Sequence, residues 1–399
     1  MTDLKRVFIH IGAPQAGTSY IQDMLYDNLE RLEEHGITYP LSDGKAQHTM
    51  VWGLRWMVSK RKMGKRYQVA WHEVVRKVWE WQGHTAVLSS ELFAFSTERE
   101  CKRVLSSFGD AEVHVIYTAR DLARQAPAVW QEQMKNQRTF GYGEYLDDLL
   151  NAEHKRYSKS FWNAQDAVGV LANWSAAIDA SRIHVVTLPP AGSPPELLWQ
   201  RFAGVIGIDS DDFELAVPAT DSSVSVTAAE VLRRFNVRHG KTMTYRDFMA
   251  TVLARLNPIL PEVAAGDDKL PLAEDQRERL GELARHLVDG LRAAGYDIVG
   301  SLDELIPAPP EAAADQEPAR GPDDVSDPEV IDALLDVLYE VLRRQPEPPS
   351  PSPRKNAQQG RARKPGQRRG AKKAQGRGRR ARAAEVADAD EASAPSQGG

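Results

Sequence analysis

The sequence has one cysteine, Cys101, in 399 residues. No disulfide can form within the chain, which excludes a disulfide-stapled scaffold and fits a reducing compartment. No stretch stays apolar over the roughly 20 residues a membrane-spanning helix needs. The opening residues, Met1-Thr2-Asp3-Leu4-Lys5-Arg6, have no apolar signal region and lead straight into a β-branched run. A cytoplasmic location is expected. Residues 354–382 lack acids and aromatics altogether and carry 13 Lys and Arg. The net charge of −5 therefore hides an acidic body and a basic tail.

What is present is ordinary for a folded chain: 42% hydrophobic and 27% charged residues. Four short β-branched runs, 7–11, 85–89, 113–118 and 183–188, alternate with helical patterns at 15–34, 69–82, 122–135 and 164–180. That alternation predicts an α/β fold, with a P-loop-type parallel sheet flanked by helices. From 228 to 305 the pattern turns mostly helical, and Gly295 is expected to cap the last long helix. The organisation expected is an α/β domain over 1–307, a Pro/Ala/acid linker over 308–325, an amphipathic helix over 326–345 and a low-complexity basic tail over 346–399, read as disordered. Asp327 suits the N-cap of the amphipathic helix and Pro328 its first turn. Ile331, Leu334, Leu335, Leu338, Val341 and Leu342 form its apolar stripe, which docks either on its own domain or on a partner. The tail is either a solvated appendage or a polyanion contact made through counterion release, without sequence specificity.

The densest motif is "FIHIGAPQAGTSYIQ", residues 8–22: a strand, a glycine loop, then a helix. First-turn amides and the helix dipole make such a junction an anion site. Ala16, Gly17, Thr18 and Ser19 supply the amides, and Thr18 and Ser19 add hydroxyls. Gly12 and Gly17 have nucleotide-loop spacing, but Thr18 follows where an ATP-binding loop needs lysine. A nucleotide kinase or other NTPase is disfavoured on that ground, and magnesium dependence would separate it. "VHVIYTARDLARQAPAVWQE" is a second strand running into Arg120-Asp121. The bland alternative for that pair is an ion pair at a helix start. "TAVLSSELFAF" ends a third strand at Ser89-Ser90-Glu91. Glu91 is a candidate general base there, or else the partner of a Ser90 cap. His48, in a polar loop, is a further candidate base, as is His10, which sits in a strand where a structural histidine is the commoner case. Trp52, Trp56, Trp71, Trp79 and Trp81 fall between the first two runs, as core or as acceptor pocket.

On these segments the chain resembles the sulfotransferases that use 3′-phosphoadenosine 5′-phosphosulfate (PAPS). Their 5′-phosphosulfate loop reads approximately H-x-G-x-x-K-T-G-T-T. His10, Gly12, Gly17, Thr18 and Ser19 match it, and Gln15 takes the lysine's place. The resemblance implies that Arg120 holds the 3′-phosphate together with a serine whose position is Ala128 here. It also implies that Glu91 faces the acceptor, with PAPS as co-substrate and no metal. "RIHVVTLPPAGSPPELLWQRFAGVIGID" and "GYDIVGSLDELIP" are similar to actinobacterial-type members, whose polar loop would correspond to 220–225. The acceptor implied is a hydroxyl or amine of a small molecule or glycoconjugate. Gln15 carries no charge to offset the leaving group, so catalytic residues Gln15, Glu91 and His48 are set against an alternative. In that alternative the protein is a weak or inactive binding module acting through its helix and tail.

Overall fold

The computed structural model describes residues 5–40, 44–59, 65–151, 156–215, 224–256, 258–260, 262–263, 270–308 and 320–344. The basic tail, residues 309–319 of the expected linker and residues 220–223 of the polar loop lie outside them. Six strands form one sheet: β1 Arg6–His10, β2 Ile37–Thr38, β3 Thr85–Ser89, β4 Glu112–Ala119, β5 Ile183–Thr187 and β6 Asp297–Val299. Their order is β2-β3-β1-β4-β5-β6 and every pairing is parallel. The α/β class with a parallel sheet flanked by helices is as expected. The four anticipated runs became β1, β3, β4 and β5. β2 and β6, two and three residues long, are too short to show periodicity.

Alternation along the strands sorts their side chains onto two faces. Val7, Ile9 and Ile11 join Val113, Val115 and Tyr117 in one core. Phe8, Val87, Ile116 and Val186 enter the core on the other face. The first face is covered by α3 Gly44–Ser59, α4 Lys65–Glu80, α5 Glu98–Ser107 and α9 Ala167–Ser175, and the second by α1 Thr18–Asp27, α2 Leu29–Glu34 and α10 Leu197–Ile206. A third, mainly helical cluster draws on α6 Leu122–Lys135, α7 Tyr142–Leu150, α8 Lys159–Gln165, α11 Val226–His239, α12 Glu274–Ala294 and α13 Asp327–Arg343. Among the described residues no helix is long and apolar enough to cross a membrane.

Two expected helices are split by polar side chains that satisfy the chain ends. The 15–34 pattern breaks at Asn28, whose Nδ2 donates to Met24 O (3.0 Å) and Glu214 O (2.8 Å). The 164–180 pattern breaks at Asp166, which accepts from Gly169 N and caps α9. α6 has the expected bounds, and Gly295 closes α12 in the left-handed region (φ 71°). Trp71 is core: it lies edge-on to Phe93 and Phe108 and donates to Ser107 Oγ (3.0 Å). Trp79 is exposed, and the Trp56 side chain lies outside the described residues.

The C-terminal helix differs from expectation in its cap and its face. Ser326, not Asp327, is the N-cap, and its N–H donates to Glu329 (2.9 Å). Just before it, within the stretch expected as linker, Pro322 is buried and Asp323 accepts from the Tyr142 and Gly143 amides (3.2 and 2.6 Å). α13 packs on α11 through Val330, Ala333 and Val337, with Val341 partly buried. The larger Ile331, Leu334, Leu335, Leu338 and Leu342 point outward. Small and β-branched side chains let two helix backbones approach closely, so the inner face is not the one with the largest apolar residues.

Candidate functional site

The glycine loop is fixed by an extension of the β1–β4 ladder. Ile11 N donates to Ile116 O (2.9 Å), Thr118 N to Gly12 O (2.6 Å) and Ala13 N to Thr118 O (2.9 Å). Loop and Arg120 are thereby held two residues apart along adjacent strands. The chain leaves β1 toward β2 on one side of the sheet and leaves β4 toward β5 on the other. That reversal opens a crevice at the carboxyl ends of neighbouring strands, the usual ligand position in open α/β sheets.

Three residues of the loop lie in the left-handed region: Gly12 (φ 98°), Gln15 (φ 60°) and Gly17 (φ 80°). A β-carbon on Gly17 would lie 2.5 Å from Leu198 Cδ2, so only glycine fits. Gln15 adopts a conformation uncommon for a residue with a side chain. Its carbonyl accepts from Arg120 Nη1 (3.1 Å). Pro14 O accepts from the side-chain amides of Gln125 (2.5 Å) and Gln165 (2.9 Å). Those glutamines on α6 and α8 escaped the sequence analysis, because nothing local marks a residue that buttresses a loop more than a hundred positions away.

The donors divide unequally. Ala16 N donates to Ala13 O (3.3 Å), and Thr18 Oγ1 donates to the same carbonyl (3.0 Å). Both were expected to face an anion, but the loop needs them to close on itself. Gly17, the N-cap of α1, brings no side-chain cap to the first turn, where the Thr18 and Ser19 amides have no acceptor within the helix. Ser19 is exposed.

Arg120 and Asp121 part company. Asp121 is the N-cap of α6, accepting from Arg124 N (2.9 Å) and pairing with the Arg124 side chain. Arg120 instead turns its guanidinium to the Gln15 carbonyl, in the glycine loop. Ala128 is half-buried on α6.

Glu91 opens the short helix Glu91–Phe95 after β3, and its Cα lies 3.2 Å from the place a Gly12 β-carbon would occupy. The Ser90 side chain makes no cap bond to it: the hydroxyl is buried and has no hydrogen-bond partner among the described residues. His48, expected in a loop, is on α3 and brings Nε2 to 3.6 Å from Glu91 Oε1. Arg55, also on α3, donates to Leu92 O (3.0 Å) and steadies the turn. Glu132 on α6 is a nearby carboxylate that the sequence did not point to. Burial pushes its acid up, against the Lys135 charge and a 3.1 Å bond from Asn136, with the Glu91 charge adding least.

His10 is wholly buried beneath the loop, between Ser89 Oγ (2.9 Å) and Thr118 Oγ1 (3.3 Å). Burial lowers its pKa to about 3. It is a neutral imidazole that ties three strands together and has no route to an acceptor. Among the described residues no cluster of His, Cys, Asp or Glu could hold a metal ion. The sequence offers Lys45, Lys60 and Arg61 as loop cations in place of the missing lysine charge; Lys60, Arg61 and the Lys45 side chain lie outside the described residues.

No protein-family model and no curated protein matches the chain. Among solved structures, a sulfotransferase from Alicyclobacillus acidocaldarius is similar over 73% of this chain and 95% of its own, at 12% identity and a TM-score of 0.42. The sulfotransferase domain from the curacin biosynthetic pathway is similar over 70% and 98%, at 11% identity and a TM-score of 0.30. Overlays this loose say nothing about chemistry, which rests on the loop and its surroundings.

Proposed function

We propose that the protein is a PAPS-dependent sulfotransferase acting on a hydroxyl or amine of a small molecule or glycoconjugate. The observation that carries this is convergence. A glycine loop with first-turn amides, a guanidinium on that loop and a Glu91–His48 pair meet at the carboxyl ends of β1, β4 and β3. The Gly17, Thr18 and Ser19 amides would receive the 5′-phosphosulfate. Arg120 would supply there the positive charge that Gln15 lacks, and the buried Ser90 hydroxyl is a polar group awaiting a partner. Glu91, with His48 beside it, would take the acceptor proton. The acceptor–sulfur bond forms as the sulfur–oxygen bond to the nucleotide breaks. The electron pair leaves on the phosphate oxygen, where the Arg120 charge stabilises it.

A second reading, a binding module on the same fold, is favoured by Gln15 and by the Thr18 hydroxyl being spent inside the loop. Calorimetric titration tests the proposal. 3′-Phosphoadenosine 5′-phosphate should bind at micromolar concentration in the presence of EDTA, and ATP with magnesium should bind far more weakly. The reverse preference would overturn it in favour of an NTPase.

A further inference from the structure

The outer face of α13 gathers six exposed large apolar side chains on one helix. Ile331, Leu334, Leu335, Leu338, Tyr339 and Leu342 are 56, 44, 58, 52, 65 and 59% exposed. The helix is not loosely attached. Its inner face is packed on α11, Asp327 pairs with Arg234, and Arg344 pairs with Glu262 and donates to Pro258 O (3.2 Å). A rigidly held apolar stripe of this kind marks an interaction site.

The segments on either side of this helix have little with which to cover it. Residues 309–319 and 345–399 contain, beyond Ala and Pro, a single aliphatic side chain, Val386. A lipid surface fits poorly, because the residues flanking the stripe are Asp332, Asp336 and Glu340, whereas interfacial helices carry Lys and Arg there.

The stripe is complementary to itself. Its spacing, 3-1-3-1-3, reads the same in both directions. Rotating a second copy about a two-fold axis between positions 336 and 337 sets Ile331 opposite Leu342, Leu334 opposite Tyr339 and Leu335 opposite Leu338. All six exposed side chains then meet one another. Ile331, Leu335, Leu338 and Leu342 follow the 4-3-4 rhythm of a two-stranded seam. Charge favours the antiparallel sense: the helix dipoles oppose, and the end bearing Asp332 comes to the end bearing Arg343 and Arg344 of the other copy, although both arginines also pair with Glu340 in their own chain. A parallel pair would set acid against acid. Six side chains about half exposed present on the order of 600 Å² per copy, or roughly 1,200 Å² in all, the lower edge of a stable interface.

We infer that α13 is a homodimerisation helix that pairs antiparallel with its counterpart in a second copy of this chain, through a two-fold interface. The pairing is independent of the sulfotransferase proposal. Sedimentation of the full chain from about 1 to about 100 µM should show a monomer–dimer equilibrium, with a Kd in the micromolar range expected for an interface of this size. The heavier species should approach twice 44.4 kDa. Leu335→Asp, at an exposed position, should sediment as a monomer and keep the wild-type thermal midpoint when both are measured well below the dimer Kd. Under mild oxidation the double variant Leu335→Cys/Leu338→Cys should cross-link and Leu335→Cys alone should not, since Cys101 is buried. Cross-linking by the single variant would overturn the antiparallel sense. A wild type that stays monomeric at the highest concentration would overturn the dimer, and binding to phosphatidylcholine vesicles in that case would point to a lipid surface instead.

Discussion

Replacing Gly17 with alanine tests the loop most sharply. The backbone there has φ 80°, which costs an L-residue about 1 kcal/mol. The new β-carbon would sit 2.5 Å from Leu198 Cδ2 and 3.1 Å from Leu188 Cδ1. Leu198 is 5% exposed on α10 and cannot swing away, so overpacking adds about 2 kcal/mol. Gly17→Ala should therefore destabilise by about 3 kcal/mol in urea unfolding. Leu198→Ala alone should cost about 3 kcal/mol through its cavity. In the double variant the Leu198 clash is gone and the backbone cost and the lesser Leu188 contact remain, so the total should fall up to about 2 kcal/mol short of additive. Strict additivity would show that Gly17 and Leu198 do not touch, and the loop geometry would be wrong.

Other expectations separate roles that adjoin in sequence. Asp121→Ala should cost about 1 kcal/mol of stability by uncapping α6, measured by urea, and should leave the Arg120–Gln15 contact in place. His10 imposes a pH dependence. Its folded pKa lies far below the unfolded value, so the unfolded chain takes the proton first, and stability falls below about pH 6.5 by up to about 1.4 kcal/mol per unit. Urea midpoints at pH 7 and pH 5 should differ accordingly, and His10→Asn should flatten that limb. Glu304 forms a two-pronged pair with Arg201 (2.7 Å each). Burial would raise its acid, but bonds from Arg201 and Thr187 hold it below the usual carboxylate range. Glu304→Ala should cost about 3 kcal/mol, and the wild-type contribution should vanish as pH falls below about 4.

The central strands and the loop were legible because their information is local. A β-branched run, a glycine at each end of a turn and a following amphipathic helix occur within fifteen residues. β2 and β6 offer too few residues for a period to register. The break at Asn28 depends on Glu214, which no local pattern contains. That position 120 lies beside the glycine loop was legible, but its contact was not. The chain pattern points it toward a 3′-phosphate, and its guanidinium lies instead on the Gln15 carbonyl. The Glu91–His48 pair joins residues from two elements and becomes visible only when α3 folds over the end of β3. On α13 the size of the apolar residues misled, because the tight inner face selects Val and Ala and leaves Leu outside.

The measurement that bears most directly on the account is the affinity of 3′-phosphoadenosine 5′-phosphate for the wild type, Arg120→Ala and Arg120→Ala/Gln15→Lys, by calorimetry. Loss of a charged contact in a shielded site is worth about 3 kcal/mol, so Arg120→Ala should weaken binding about a hundredfold. Gln15→Lys, returning the charge to the loop, should recover much of it. Equal affinity in the wild type and Arg120→Ala would contradict the claim that residue 120 supplies the charge missing from position 15.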